Sequence, residues 1–297
     1  RYLLRNGTGA MLRDSPALAQ AEYVVVAESD GRRPESAIYL AAPLTLDDVR
    51  RDFGDDISIE DQVAWDDDAK VVRAVRVERL GAITLREVTL RDPSPPLLAR
   101  ALLDAVRRSS LQLLPWGDGA RRLRERLAFV HAHDATWPDV DDAALLASLD
   151  DWLAPHLEGM RRASDLAALD LSSLLLGRLS WQQRSALDTL APSHLEVPTG
   201  SRIAVDYSDT ASPVLAVRLQ EMFGCRETPR VLGGRIPVTL HLLSPAHRPL
   251  QVTRDLAGFW RSSYKDVQKE MKGRYPRHPW PDDPMAAEPT RRAKPRS

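Results

Sequence analysis

From residue 2 to residue 90 the apolar positions come in short runs or at every second residue, the period of β-strands. Tyr2–Arg13 alternates around NGTG. EYVVVAES (22–29), SAIYLAAPL (36–44), ISIEDQVAWD (57–66), KVVRAVRVERLG (70–81) and ITLREVTL (83–90) read as further strands. In KVVRAVRV the period places Val71, Arg73, Val75 and Val77 on one face and Val72, Ala74 and Arg76 on the other. TLDDVRRDFG (45–54) reads instead as a short helix, with Thr45 as N-cap and Gly54 as stop. Asp66–Ala69 reads as the turn between two strands. Five or six short strands with one small helix suit a small barrel, so an OB-like β-barrel is expected over 1–91.

DPSPP (92–96) marks a linker, and the period then lengthens to that of helices. LLARALLDAVRRS (97–109) stripes Leu98, Leu102, Ala105 and Val106, and GARRLRERLAFVHAHD (119–134) stripes Leu123, Leu127 and Val130. DDAALLASLDDWLAPHL (141–157) opens on capping aspartates and stops near Pro155. A helical segment is therefore expected over 97–171, followed by a mixed α/β domain over 172–284. In that domain 172–192 reads as helical, and HLEVP and SRIAVDY flank a β-turn at Thr199–Gly200. SPVLAVRLQEMFG (212–224) reads as a helix from Ser212 and Pro213 to Gly224. RVLGGRIPVTLHLL (230–243) reads as a strand pair around Gly233–Gly234, and DLAGFWRSSYKDVQKEMKG (255–273) as one long helix. The tail, 285–297, is polar and expected to be disordered. The class is α+β.

At 297 residues the chain has room for about two domains. A net charge of −1 provides no global field, so contact with nucleic acid has to be a local patch. Cys225 is the only cysteine, which excludes an internal disulfide and cannot alone build a zinc site. No apolar run approaches the ~18 residues of a membrane span. The opening RYLLRNGTGAML is not a signal peptide and lacks Met, so the chain is expected to be the C-terminal part of a longer protein.

The absent motifs narrow the chemistry. There is no Walker loop, no G-x-G-x-x-G or G-x-S-x-G after a strand, and no H-E-x-x-H. His131 and His133, beside Asp134, read as helix-end residues that suit the helix dipole. The pairs Asp47–Asp48, Asp55–Asp56 and Asp141–Asp142 sit at helix starts or turns, where capping accounts for them. TGSR (199–202) reads as a β-turn before it reads as a phosphate nest.

Two basic surfaces remain. Three of the five lysines lie within residues 265–272. At ~100° per residue, Arg254, Arg261, Lys265, Lys269 and Lys272 fall within a quarter of one helix, with Asp255, Asp266 and Glu270 on the adjacent strip. Leu256, Trp260, Tyr264, Val267 and Met271 lie opposite. GRYPRHPW then adds Arg274 and Arg277 with Tyr275, His278 and Trp280. Rings beside guanidinium groups can stack bases and neutralise phosphates. The same residues can clamp the C-terminus onto the domain, and the prolines favour Trp280 as a packed anchor. The second surface is Arg5, Arg13, Lys70, Arg73 and Arg76 on the strands of 1–91, where the plain reading is solubility and edge protection.

Long motifs resemble a known family. LSWQQRSALDTLAPSHLEVPTGSRIAVDY (179–207), PVLAVRLQEMFG (213–224), GGRIPVTLHLLSPAHRPLQVTRDLAGFW (233–260) and SYKDVQKEMKGRYPRHPWPDDP (263–284) resemble the C-terminal region of the HrpB family, bacterial DEAH-type ATP-dependent RNA helicases. RNGTGAML, YVVVAE and IYLAAPL resemble that family's OB-like segment. The resemblance implies two RecA-like motor domains, a winged helix and a helical module before Arg1, with ATP and magnesium bound there. The ATP-binding and DEAH residues match no position here, so no catalytic residue carries over.

The first expectation is an accessory region that binds or guides single-stranded RNA in the cytoplasm. Its phosphate contacts would be Arg5, Arg13, Lys70, Arg73, Arg76, Arg261, Lys265, Lys269, Lys272, Arg274 and Arg277, with Tyr275 as a stacking residue. The second is a platform that docks a protein partner or the motor domains. An independent enzyme would need a pocket of polar groups with perturbed acidity.

Overall fold

The computed structural model of the chain describes residues 1–12, 18, 20–32 and 35–292. In chain order its first elements are β1 (Tyr2–Leu3), β2 (Gly9–Leu12), β3 (Tyr23–Ser29), β4 (Glu35–Leu44), α1 (Leu46–Phe53), β5 (Ile57–Asp66), β6 (Val71–Leu80), β7 (Ile83–Thr89) and α2 (Pro95–Arg108). Helices follow: α3 (Asp118–His133), α4 (Asp142–Ala147), α5 (Leu149–Trp152), α6 (Ala163–Leu166), α7 (Leu171–Gly177) and α8 (Trp181–Leu190). The last part holds β8 (His194–Glu196), β9 (Arg202–Asp206), β10 (Val214–Arg218), β11 (Arg230–Val231), β12 (Ile236–Pro237), β13 (Thr239–Leu243), β14 (Pro249–Thr253), α9 (Leu256–Arg261) and α10 (Tyr264–Arg274). The fold is mixed α+β. It divides into two compact units, Arg1–Arg108 with Leu157–Leu166, and Ser109–His156 with Ala167–Ser297.

In the first unit the strands form two sheets, β1-β2-β4-β3 and β5-β6-β7. Helix α1 starts on a capping box, in which Thr45 Oγ1 accepts from the Asp48 N–H and the Asp48 carboxylate accepts from the Thr45 N–H. Its Val49 is buried with Leu80 and Leu85, and Tyr23, Leu44, Phe53 and Ile57 pack around them. Arg50 adds two bonds to the Glu78 carboxylate at 2.9 and 2.7 Å. Strand β6 departs from simple alternation: Val72 and Ala74 are buried, and then Val77 rather than Arg76. As the middle strand of its sheet it is paired along both edges, with a register shift against β7 at Glu78–Arg79. Gly81 takes φ +60°, and a Cβ there would collide with the Arg5 carbonyl, which accepts from the Ala82 N–H.

Pro95 and Pro96 open α2, where a missing N–H costs nothing. The proline-rich segment therefore begins a helix, and the first unit continues to Arg108. Residues 157–166 return to this unit, where the Val72 N–H donates to Arg161 O at 2.7 Å and the Ala163 N–H to Lys70 O at 3.0 Å.

The second unit is built on a sheet of order β14-β13-β10-β9-β8, with β10 and β13 parallel. Residues 212–224, read as a helix, instead form β10 and a single 3-10 turn over Leu219–Glu221. Position between two strands decides this: Leu215 and Val217 are fully buried, and the valine-rich run suits a central strand. Ser212 bonds Thr239 side chain to side chain at 2.6 Å, so Ser212–Pro213 starts a parallel ladder and not a helix. Strand β14 fell within a stretch to which the hydrophobic pattern assigned no element.

The helix read over 255–273 is two helices. Ser262 ends α9, its N–H and hydroxyl both bonded to Gly258 O, and Ser263 opens α10. Paired serines that bond back to the backbone favour such a break. Phe259, Trp260 and Tyr264 pack with Phe223 across it, with ring centroids 5.1–6.3 Å apart.

Candidate nucleic-acid interface

The basic residues divide into two electrostatic classes. On the first unit the arginines are held by carboxylates. Arg5 Nη1 lies 2.9 Å from Asp56 Oδ2, and Arg73 Nε lies 2.5 Å from Asp66 Oδ2. Arg76 grips Asp61 through Nε and Nη2 at 2.7 and 3.0 Å, facing it across β5 and β6. That hydrogen bond holds the Asp61 carboxyl below its usual range and raises Arg76. Exposed pairs of this kind, screened by solvent, add little to stability. Their larger effect is to cancel much of the field a phosphate would meet. Lys70 is exposed at the hairpin turn, with φ +53°. Arg13 lies outside the described residues.

On the second unit, Arg261, Lys265, Lys269, Lys272, Arg274 and Arg277 are exposed, and none has an ion-pair partner among the described residues. The break at Ser262–Ser263 separates Arg261 and Arg254 from the helix that carries the lysines. Lys265, Lys269 and Lys272 remain one stripe of α10, spaced i, i+4, i+7 and ~10 Å long. Asp266 and Glu270 form the next strip. Tyr264 and Met271 are buried on the packed side.

After α10 the chain folds back as a strap. Trp280 is 8 % exposed, and its Nε1 donates to Tyr275 O at 2.9 Å. Gln268 Nε2 reaches Trp280 O at 3.0 Å and Pro281 O at 2.8 Å, and the Tyr264 hydroxyl donates to Pro281 O at 2.8 Å. Burial of the Tyr264 hydroxyl, reinforced by Asp282, pushes its pKa up. The Gly224 N–H donates to Pro284 O at 2.9 Å, the Thr290 N–H to Gln220 O at 3.0 Å, and Arg291 Nη2 to Thr199 O at 2.7 Å. The described part of the tail expected to be disordered is therefore bonded to the domain, by the backbone N–H of Thr290 and the guanidinium of Arg291.

Beneath the strap lies a polar cluster that the hydrophobic pattern did not reveal. Glu221 is 4 % exposed. Its Oε2 accepts from Ser201 Oγ at 2.6 Å and Thr199 Oγ1 at 3.0 Å, and its Oε1 from Arg218 Nε at 2.8 Å. Burial alone would raise its pKa, but the bonds from Ser201, Arg218 and Thr199 outweigh that and lower it. TGSR is thus a turn with its hydroxyls on an acid. His278 Nδ1 meets Gln220 Oε1 at 2.9 Å, and burial, helped by Arg218 and Arg277, lowers its pKa. In the sequence its traces are TGSR and the polar Gln-Glu pair inside the apolar run LQEMF.

The other candidates are structural. His131 Nδ1 and His133 Nδ1 bond the carbonyls of Trp137 and Phe129 at 2.7 and 2.8 Å. Asp141 caps α4 through the Ala144 N–H. A cleft of about 620 Å³ beside α3 and β9 brings Arg121, Arg122, Glu125, His194 and Asp206 together. Burial, and then Asp206, raises Glu125 there. No group of three His, Cys, Asp or Glu among the described residues could hold a metal ion. Among those residues no helix is long and apolar enough to cross a membrane.

Comparison with known proteins places these features in a family. Residues 152–284 match the profile "ATP-dependent helicase C-terminal", and residues 56–90 match "ATP-dependent RNA helicase HrpB, connector region". The chain is 43 % identical over 298 aligned residues to the ATP-dependent RNA helicase HrpB of Escherichia coli (strain K12). That alignment covers 99 % of this chain and 37 % of the relative, so the chain spans little more than a third of the relative's length. A crystal structure described as the E. coli DExH-box NTPase HrpB matches 99 % of this chain and 37 % of its own, with a TM-score of 0.67 and 43 % identity. Another, of the Escherichia coli DEAH/RHA helicase HrpB, matches 94 % of this chain and 35 % of its own, with a TM-score of 0.58 and 39 % identity. This chain belongs to the HrpB family and corresponds to its connector and C-terminal regions.

Proposed function

We propose that the chain is the accessory C-terminal region of an ATP-dependent RNA helicase and binds or guides single-stranded RNA beside a motor carried elsewhere in the parent protein. The observation that supports this most is the basic surface of residues 261–277, where six cations stand against two carboxylates and make no ion pair among the described residues. On this reading ATP and magnesium belong to the motor, and the protein works in the cytoplasm. The strands of the first unit then serve as an OB-like module near the RNA, with Arg5, Arg73 and Arg76 structurally engaged and Lys70 available. Anisotropy with a fluorescent single-stranded RNA at two salt concentrations tests it. Binding that weakens steeply with salt supports the reading, and no binding at low salt rejects it.

A second reading, a docking platform for the motor domains, is favoured by Trp181, which is 78 % exposed in the first turn of α8. Titrating purified motor domains of the parent against this chain tests it. Binding that is lost in Trp181→Ala supports docking, and binding indifferent to that change removes Trp181 as an anchor.

A further inference from the structure

We infer that single-stranded RNA runs along the lysine stripe of α10 and stacks a base on Tyr275. This rests on the RNA-contact reading above and names the path. Tyr275 follows directly on the helix that carries the stripe. Its N–H donates to Met271 O at 2.7 Å, and its carbonyl accepts from the His278 N–H at 3.1 Å and from Trp280 Nε1 at 2.9 Å. The backbone is thus fixed on both sides. The half-buried ring meets His278 edge-on at 6.2 Å between centroids, and among the described residues its hydroxyl makes no hydrogen bond. Arg274 and Arg277 flank it, both exposed and unpaired among the described residues.

A ring on a fixed backbone, with the exposed Arg274 and Arg277 beside it in sequence, is a pre-organised stacking platform, and little freedom is lost when a base lands on it. Trp280 cannot share the role because it is buried and anchors the strap from below. The stripe supplies phosphate contacts without sequence preference, since its lysines meet only backbone charge.

The test is the salt dependence of binding of the full chain to fluorescein-labelled oligouridine. Lys265→Gln, Lys269→Gln and Lys272→Gln together are expected to flatten the slope of log K against log salt by about 2, at ~0.7 per contact. Tyr275→Leu keeps an apolar side chain at the turn and is expected to weaken binding roughly five- to a hundredfold at every salt concentration, with the slope unchanged. Tyr275→Phe keeps the ring and is expected to bind like the parent. Parent-like affinity in Tyr275→Leu, or an unchanged slope in the lysine variant, overturns the path. The lysines are exposed, so their variant folds and remains a test even where Tyr275→Leu disturbs the strap. If the parent binds oligouridine but its slope is lost only in Arg5→Gln/Arg73→Gln/Arg76→Gln, the path fails and the RNA reading stands. If the parent does not bind at all, both fail.

Discussion

Trp280 Nε1 donates to the Tyr275 carbonyl at 2.9 Å, closing a loop over residues 275–280 whose indole is buried against the domain. The strap is thereby an extension of the packed core. Trp280→Ala should cost about 3–5 kcal/mol of the second unit's stability, the range for a large buried ring. Thermal unfolding and limited proteolysis would read it, as a lower midpoint and early cleavage after residue 274.

Gln268→Ala should cost less, about 1–2 kcal/mol. It removes one amide nitrogen that serves Trp280 O and Pro281 O and leaves those carbonyls nearer to water. Denaturant unfolding that shows no loss would mean that the Gln268 amide does not hold the strap.

Glu221→Gln should destabilise the second unit by about 2–4 kcal/mol. The amide cannot accept from Ser201, Thr199 and Arg218 as the carboxylate does, and Arg218 is left without its counter-charge. Because the native carboxyl titrates below its usual value, its contribution is full above pH ~4.5 and is lost as pH falls through the lowered pKa. The variant should lack that acid-dependent loss in a series of melts.

Much of this region was hidden in the sequence for a physical reason. The apolar stripe of α10, the cap at Thr45, the turn at Thr199–Gly200 and the strands of the first unit follow from local periodicity and capping, whereas the break between α7 and α8 inside 172–192 does not. Strand β10 does not, because Ser212–Pro213 and Gly224 are equally good signals for helix ends, and only β9 and β13 on either side make the run a strand. The strap was half legible: PWPDDP pointed to one fixed path, but its partners Gln220, Gly224 and Thr199 lie more than fifty residues away. The basic residues of 261–277 were legible as a cluster. That Arg5, Arg73 and Arg76 are already paired depends on cross-strand register and on tertiary contact.

His278 should make the strap sensitive to acid. Its folded pKa is lowered, so between the ordinary histidine value near 6.5 and that lowered value the unfolded chain binds more protons than the folded one. Stability therefore falls as pH drops through this window. Burial is the first cause of that lowering, and Arg218 and Arg277 further oppose the imidazolium. His278→Gln should flatten the stability profile just below pH ~6.5, and an unchanged slope there would remove His278 as the sensor.

Gly81→Ala should destabilise the first unit by about 1–3 kcal/mol through its positive φ and the collision with the Arg5 carbonyl. Melting followed by a tryptophan probe at Trp65 would show the loss.

The decisive quantity is the affinity of this chain for a fluorescent single-stranded RNA, measured by anisotropy between about 50 and 200 mM salt. Tight binding at low salt with a log–log slope of about −3 to −4, as four to six lysine and arginine contacts from residues 261–277 require, is the expected result. Absence of binding at the lowest salt, or binding indifferent to salt, would contradict an RNA path on this region and leave the strap as a purely structural clamp.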